Sequence, residues 1–385
     1  MRIWLVGGGT AGHVSPLLAL EPALKAQDPD TTTLVITDKN SAISQLMAGY
    51  AGQHTTIRSG KFRRYHGRGW LARITDISTL LYNLGDIIFF AVGFFQATGL
   101  ALSRRPQVVF INGGAIGVPV AWVCRLLKLP YLIHESDTTL GLANRLIAKR
   151  AKVIASGFEL KLPPNLAERQ VVTGIPLREE FYRAKSSAAE NRLRLGYNIK
   201  PSEPVVLVLG GSLGASRLNR LVLRSAESVL DRAHLIVITG LKKLKTAQRL
   251  SVHYDRRSKS RLHLVEFAGL DIADYIRLAD LVISRAGATA IAEMSALKKP
   301  TILVPNSMLS GGHQLHNANL LAANKQAVVI DERMAEADDR LLAGTITSLL
   351  DDQLRRRQLA AAIATLNIRD SVSLLSELII KTASG

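Results

Sequence analysis

The stretch VGGGTAGHVSP at residues 6–16 places four glycines between an apolar run and a segment with a helical pattern. Glycine lets the backbone turn sharply and approach a ligand closely, and the amides at the start of a helix attract anions. A second stretch, VLGGSLGAS at residues 208–216, repeats this arrangement in the other half of the chain. The repetition predicts two similar domains, each with a ligand-binding loop after its first strand.

Short runs rich in Val and Ile alternate with helix-length segments on both sides of a Pro- and charge-rich zone at about 160–204. The runs are 3–6, 33–37, 107–112, 131–135 and 152–156, then 205–210, 235–240, 262–267, 281–285, 301–305 and 327–330. Such strands are typical of parallel sheets covered on both faces. We predict an α/β chain of two Rossmann-like, doubly wound domains facing a central cleft. The predicted bounds are 1–175 and 176–350, with terminal helices at 351–385 packing back across the junction.

The net charge of +18 and the pI of about 10.2 indicate an anionic partner, unless they reflect a generally basic proteome. Nucleic acid, anionic lipid and phosphorylated substrates all fit the charge. Cys124 is the only cysteine, which excludes an internal disulfide and suits a reducing cytoplasm. The N-terminus enters a strand pattern directly, so we expect no signal peptide.

Residues 80–102 are nearly long and apolar enough to cross a bilayer. The strand that follows at 107–112 should share a sheet with 3–6, so we predict a helix that is partly core and partly membrane-facing. The preceding segment 58–73 has six basic residues, no acidic ones, and interleaved aromatic residues. These features predict contact with an anionic membrane surface through about 58–102. An ordinary solvated loop is the alternative; without an RNA-recognition signature we predict no nucleic-acid partner.

His13 lies where a helix N-terminus favours a neutral imidazole that can accept a proton, although a structural histidine would also fit there. The loop can be read as a dinucleotide motif through Gly7, Gly9 and Gly12, but Asp38 is the only candidate for the acidic residue which that motif needs. The scattered histidines lack metal-ligand spacing, so we predict no metal site and no obligatory cofactor.

Two segments of the second half carry further polar candidates. SRAGATAIAE at 284–293 predicts a third strand–glycine–helix junction, where Glu293 could bind a ribose diol. SGGHQLHNA at 310–318 places His313, Gln314 and Asn317 on the first turns of a helix. Arg178 follows the Gly-Ile-Pro-Leu segment at the edge of the expected cleft.

In their order and approximate spacing, these motifs, together with HESD at 134–137, resemble the two-domain GT-B glycosyltransferases. Specifically, they are similar to MurG-type enzymes of peptidoglycan synthesis, and the resemblance spans essentially the whole chain. It implies an inverting, metal-independent transfer of N-acetylglucosamine from UDP-N-acetylglucosamine to lipid-linked N-acetylmuramoyl-pentapeptide. It also implies a peripheral location on the cytoplasmic face of the bacterial cell membrane.

The resemblance implies that His13 is the catalytic base and that the nucleotide sugar binds mainly to the second domain. Gly113, Gly114, His134 and Glu135 would lie on the acceptor side. The implied donor-site residues are Thr10, Ala11, Gly12, Asp137, Arg178, Ser212, Ala268, Gly287, Ala288, Thr289, Glu293, His313 and Gln314.

Ala11, Ala115, Asp137 and Ala290 depart from the family pattern, so the resemblance supports the donor more strongly than the acceptor. Three alternatives remain open from the sequence. They are a glycolipid transferase with a diacylglycerol-type acceptor, a sugar-nucleotide 2-epimerase of the same architecture, and a binding protein that has kept the fold without catalysis.

Overall fold

The structure is a computed structural model that describes residues 1–39, 41–60, 77–183, 187–211, 214–306, 312–366 and 370–384. The chain forms two compact units. Met1–Arg178 and Asp370–Gly385 make up the first unit, and Glu179–Arg369 make up the second.

The first unit contains a seven-stranded parallel sheet in the order β3-β2-β1-β4-β5-β6-β7. The strands are β1 (Arg2–Val6), β2 (Thr32–Thr37), β3 (Gln53–Thr56), β4 (Val108–Ile111), β5 (Tyr131–Glu135), β6 (Val153–Ser156) and β7 (Gln170–Val172). The central strands are apolar and buried on both faces because helices cover the sheet. The strand order reverses at β1 and β4, because β2 and β3 lie on one side of β1 whereas β4 to β7 lie on the other. The loops after β1 and β4 therefore meet at a topological switch point.

The helices of the first unit pack on the two faces of this sheet. They are α1 (Ala11–Gln27), α2 (Ser41–Met47), α3 (Ile77–Ser103), α4 (Gly117–Leu126), α5 (Leu142–Ile147), α6 (Pro164–Ala167) and α18 (Ser371–Ser384), with a 3-10 turn at Ala148–Arg150. Leu375 and Ile379 of α18 join the buried cluster between α1 and the sheet. The last helix is therefore part of the first unit's core.

The second unit contains a six-stranded parallel sheet in the order β10-β9-β8-β11-β12-β13. The strands are β8 (Val205–Leu209), β9 (His234–Ile238), β10 (Leu262–Val265), β11 (Leu281–Ser284), β12 (Thr301–Leu303) and β13 (Val328–Val329). Here the strand order reverses at β8 and β11, because β9 and β10 lie on one side of β8 whereas β11 to β13 lie on the other. This sheet therefore has its own switch point, beside the second glycine-rich stretch.

Eleven helices lie within the described residues of the second unit. The first ten are α7 (Ser187–Gly196), α8 (Ser216–Arg224), α9 (Glu227–Leu230), α10 (Leu244–Leu250), α11 (Arg256–Arg261), α12 (Ile272–Leu278), α13 (Ala288–Ala296), α14 (His313–Ala323), α15 (Glu332–Ala337) and α16 (Asp339–Asp351). An eleventh, α17 (Gln353–Ala364), packs against α13, where the Ser295 hydroxyl donates to the Ile363 carbonyl at 2.8 Å. Two 3-10 turns occupy Glu179–Phe181 and Gly269–Asp271.

The two predicted doubly wound parallel sheets are confirmed. The structure divides the chain after Arg178 rather than after 175, and it splits the predicted terminal region 351–385 between the units. β3 and β7 were not predicted. Both are short strands at the two edges of the first sheet, and each has exposed residues. They therefore lack the apolar run that marks a buried strand.

Candidate active site

The first unit's switch point is formed by two glycine loops in direct contact. A Cβ atom on Gly114 would lie 2.5 Å from the Gly8 carbonyl oxygen, and one on Gly7 would lie 2.4 Å from the His13 carbonyl oxygen. Gly113 and Gly114 have φ angles of 71° and 82°, a region that favours glycine. The glycines are therefore required both by close approach and by backbone conformation.

Asp38 has a structural role in this loop. The Gly9 amide donates to Asp38 Oδ1 at 2.8 Å, which ties the loop after β1 to the end of β2. The side chain considered as the acidic residue of a dinucleotide motif therefore holds the glycine loop in place.

His13 lies in the first turn of α1, and its ring packs against the loop after β4. A Cβ atom on Gly113 would lie 3.0 Å from both Cε1 and Nδ1 of the imidazole. The Asn112 side-chain amide donates to the His13 carbonyl at 2.9 Å, which fixes the backbone beneath the ring. Thr10 is the N-cap residue of α1, and its side chain makes no capping hydrogen bond. The structure thus brings the predicted residues Thr10, Ala11, Gly12, His13, Gly113 and Gly114 together.

His134 and Glu135 end the next strand, β5, and both are buried. His134 Nε2 donates to the Gly174 carbonyl at 2.9 Å, so this ring is held by the protein. Burial lowers the pKa of His134 to about 4, and the nearby His13 adds to that effect. Burial and the charge of Asp137 raise the pKa of Glu135 to about 7.

Glu135 Oε2 accepts from the Gly141 amide at 2.7 Å and from the Asn144 side chain at 2.9 Å. These bonds hold the segment between β5 and α5 in place. Among the predicted acceptor-side residues, Glu135 therefore positions the backbone of this segment. Arg178, the last residue of the first unit's main segment, is 7% exposed.

The second unit's switch point has its own closely packed glycine loop. A Cβ atom on Gly210 would lie 2.4 Å from the Ala215 amide nitrogen, and one on Gly214 would lie 2.3 Å from the Thr239 carbonyl oxygen. Gly211 and Gly214 have positive φ angles. Ser212, predicted to contact the nucleotide, lies outside the described residues. Ala268 precedes the 3-10 turn after β10 and is partly exposed.

The loops after β11 and β12 bring most of the remaining predicted donor residues to the second sheet's carboxyl edge. Gly287 is the N-cap of α13, which carries Ala288, Thr289 and, about one turn further on, Glu293. His313 and Gln314 open α14. Gln314 Oε1 accepts from the Asn306 amide at 2.9 Å, and the Asn317 side chain donates to the Ala286 carbonyl at 3.0 Å. These bonds tie the start of α14 to both loops.

Sequence reasoning missed a group of buried charges beside these loops. Arg285 follows β11 and is 6% exposed; its guanidinium donates to the Val304 carbonyl at 2.9 Å and pairs with the fully buried Glu332. Arg217 lies 3.5 Å from the other oxygen of Glu332. The partners are far apart in sequence and no local pattern links them, so only the fold brings them together.

Within the described parts of the chain, no three His, Cys, Asp or Glu side chains are grouped so that they could hold a metal ion.

Comparison with known proteins identifies the family. Residues 3–156 match the glycosyltransferase family 28 N-terminal domain, and residues 205–375 match the family 28 C-terminal domain. The UDP-N-acetylglucosamine--N-acetylmuramyl-(pentapeptide) pyrophosphoryl-undecaprenol N-acetylglucosamine transferase of Clostridium botulinum strain Alaska E43 is 31% identical over 99% of this chain and 98% of that protein. The Staphylococcus aureus transferase of the same name is 35% identical over 87% of each chain. The chain belongs to the MurG family of glycosyltransferases.

Solved structures agree with this assignment at the level of fold. Acinetobacter baumannii MurG superposes with a TM-score of 0.68 at 22% identity and covers 99% of both chains. A UDP-GlcNAc 2-epimerase from Neisseria meningitidis superposes with a TM-score of 0.71 at 12% identity. The predicted GT-B fold and the resemblance to MurG-type enzymes are therefore confirmed. The fold is shared with epimerases, but the Clostridium botulinum and Staphylococcus aureus transferases have the higher sequence identity, 31% and 35% against 12%.

Proposed function

We propose that this chain transfers N-acetylglucosamine from UDP-N-acetylglucosamine to undecaprenyl-diphosphate-linked N-acetylmuramoyl-pentapeptide, with inversion at the anomeric carbon. Curated relatives named for this transfer match both units at 31–35% identity, which favours it over the epimerase and over other lipid acceptors. The structural observation that supports it most strongly is the His13 imidazole packed against Gly113, where the glycine loops after β1 and β4 are in contact.

In the proposed reaction, the acceptor hydroxyl oxygen forms a bond to the anomeric carbon on the face opposite UDP. The bond from that carbon to the UDP oxygen breaks, and UDP takes the bonding electron pair. The acceptor proton passes to the His13 imidazole, which the Asn112 and Gly113 contacts hold in place. In this proposal the acceptor diphosphate binds on the side of Gly113, Gly114, His134 and Glu135.

The donor nucleotide is assigned to the second unit, where the glycine loop and α13 meet at the switch point. In this proposal Ser212 and Ala268 contact the nucleotide, and Glu293 binds the ribose. Gly287, Ala288 and Thr289 approach the diphosphate, while His313 and Gln314 bind sugar hydroxyls. Thr10, Ala11, Gly12 and Asp137 line the reacting centre from the first unit.

The departing UDP gains negative charge, and Arg178 together with backbone amides would stabilise that charge. We therefore propose that no metal or other cofactor is obligatory. The test is UDP release in the presence of a chelator, where undiminished turnover is the expected result.

The described part of α3 presents one apolar face outward while its other face joins the core. Phe90, Ala97 and Ala101 are buried, whereas Ile88 and Phe95 are 57% and 72% exposed. The segment Gly85–Ser103 is long and apolar enough to cross a membrane. The strands before and after it, β3 and β4, nevertheless lie in one sheet, and its buried face packs in the core of the first unit. These contacts favour a helix lying on a membrane surface.

Two further helices of the first unit extend this apolar surface. Trp122 and Leu126 on α4 are 53% and 62% exposed, and Leu146 on α5 is also exposed. Exposed basic residues flank them: Arg104, Arg105, Arg125, Lys128, Arg145, Lys149 and Arg150. Apolar residues bordered by cations fit the interface of an anionic bilayer. We propose that α3, α4 and α5 bind the cytoplasmic face of the cell membrane. Of the predicted segment 58–102, residues 61–76 lie outside the described residues.

The experiment that tests the activity is UDP release by the purified chain, with and without the lipid-diphosphate muramoyl-peptide, followed by mass analysis of the product. We expect acceptor-dependent release and a lipid-linked disaccharide. Conversion of UDP-N-acetylglucosamine to its 2-epimer without an acceptor would contradict the proposal and favour an epimerase. Release with a diacylglycerol acceptor alone would favour a glycolipid transferase.

A further inference from the structure

Lys243 occupies a constrained position at the second unit's glycine loop. It follows β9, and its ammonium donates to the Gly214 carbonyl at 2.7 Å. Its amide donates to the Gly240 carbonyl at 3.1 Å, so backbone and side chain are both held. The two loops are also packed closely, because Gly214 has no room for a Cβ beside the Thr239 carbonyl. The Lys243 charge is therefore fixed at the switch point.

A second cation lies on the other side of β8. Arg285 follows β11, and its guanidinium is buried between the Val304 carbonyl and Glu332. Partial burial lowers the pKa of Lys243, and the positive charge of Arg285 lowers it further. Because Glu332 already pairs with Arg285, the cation placed to receive an anion at the glycine loop is the Lys243 ammonium.

We infer that Lys243, whose ammonium the Gly214 carbonyl holds at the glycine loop, binds the diphosphate of the donor nucleotide. The inference rests on the proposed function, which places a UDP-sugar in this unit. An ammonium is a compact point charge that suits phosphate oxygens and does not discriminate among bases or sugars. Lys243 should therefore contribute to the affinity for the phosphates and leave recognition of the uridine unchanged.

The test compares UDP with uridine as ligands of the full chain by titration calorimetry. For Lys243→Gln, we expect the Kd for UDP to rise by about tenfold or more, since a hydrogen bond to a charged group is lost. The Kd for uridine should change by less than about twofold, and Lys243→Arg should recover much of the UDP affinity because it keeps the charge. Lys245→Gln, an exposed lysine two residues away, is the matched control and should bind UDP like the wild type.

Each other result overturns the assignment in a different way. Equal losses for UDP and uridine would mean that the substitution has damaged the loop, so the role of Lys243 would be structural. An unchanged Kd for UDP in Lys243→Gln would remove Lys243 from the site while leaving the proposed function intact. If the wild-type chain bound no UDP, the proposed function would fail, and this inference with it.

Discussion

The imidazole of His13 lies directly against Gly113, in the space that a side chain at Gly113 would occupy. His13 belongs to the helix after β1 and Gly113 to the loop after β4, so the contact crosses the switch point of the first sheet. A glycine on one loop therefore sets the position of the proposed base on the other.

Gly113→Ala should displace the His13 ring. The new methyl would approach two ring atoms to 3.0 Å, and the φ angle of 71° disfavours alanine. We expect kcat to fall by about a hundredfold, because small displacements of a reacting group are costly. The Kd for UDP should be unchanged, since the donor is assigned to the other unit. Gly344→Ala on α16, where a Cβ meets nothing within 4 Å, is the control. Equal activity in the two variants would refute the positioning argument.

His13→Asn should abolish proton transfer while retaining donor binding. We expect kcat to fall by roughly 10²–10⁴-fold, the usual contribution of a general base. His253→Asn, at an exposed histidine of the second unit, should behave like the wild type. Loss of UDP affinity in parallel with kcat would instead favour a structural role for His13.

His134 and Glu135 are neighbours whose pKa shifts act on stability in opposite directions. The folded chain keeps the Glu135 proton up to about pH 7, whereas the unfolded chain releases it near pH 4.5. The stability that Glu135 contributes as a protonated carboxyl is therefore lost as pH rises from about 4.5 to about 7. The unfolded chain protonates His134 near pH 6.5 and the folded chain only near about 4, so the His134 contribution is lost as pH falls. In the wild type the two effects largely cancel.

Glu135→Gln should reveal the His134 effect. As pH rises through this window, the free energy of unfolding of Glu135→Gln should increase by on the order of 3 kcal/mol, while that of the wild type stays nearly constant. Urea unfolding followed by tryptophan fluorescence can measure this, because Trp4, Trp70 and Trp122 all belong to the first unit. Glu159→Gln, at an exposed carboxylate of the same unit, is the control. A difference between variant and wild type that did not vary with pH would contradict the shift assigned to Glu135.

The sequence contained enough to predict the two sheets and the glycine loops, because buried parallel strands and sharp turns have local signatures. The apolar runs at 3–6 and 205–210 correspond to β1 and β8, and the glycines follow both strands at the carboxyl edge. The order of the strands then brings Gly113 to His13. That step follows from the parallel connections rather than from any motif.

Other parts of the site have no local signal. Lys243 and Arg285 follow β9 and β11, the two strands that flank β8, and Glu332 pairs with Arg285 across 47 residues of sequence. In the same way, Trp122 and Leu146 lie in segments with ordinary core patterns, and only the packing of α4 and α5 exposes them. The apolar surface was therefore predicted for α3 alone.

Charge placed on the apolar surface of the first unit should prevent membrane binding without affecting the chemistry. Phe95→Glu combined with Trp122→Glu puts two carboxylates where acyl chains and anionic headgroups are expected. We expect the wild type to cosediment with phosphatidylglycerol vesicles more than with phosphatidylcholine vesicles, and the double variant to remain in the supernatant.

Leu354→Glu, at an equally exposed leucine of α17 in the second unit, is the matched control and should still cosediment. UDP release with a water-soluble acceptor analogue should be the same for all three proteins, since none of these residues belongs to either switch point. If the double variant cosedimented with vesicles as much as the wild type does, α3 and α4 would not face the bilayer. Binding that depended on anionic lipid but not on Phe95 and Trp122 would assign the attraction to the flanking basic residues alone.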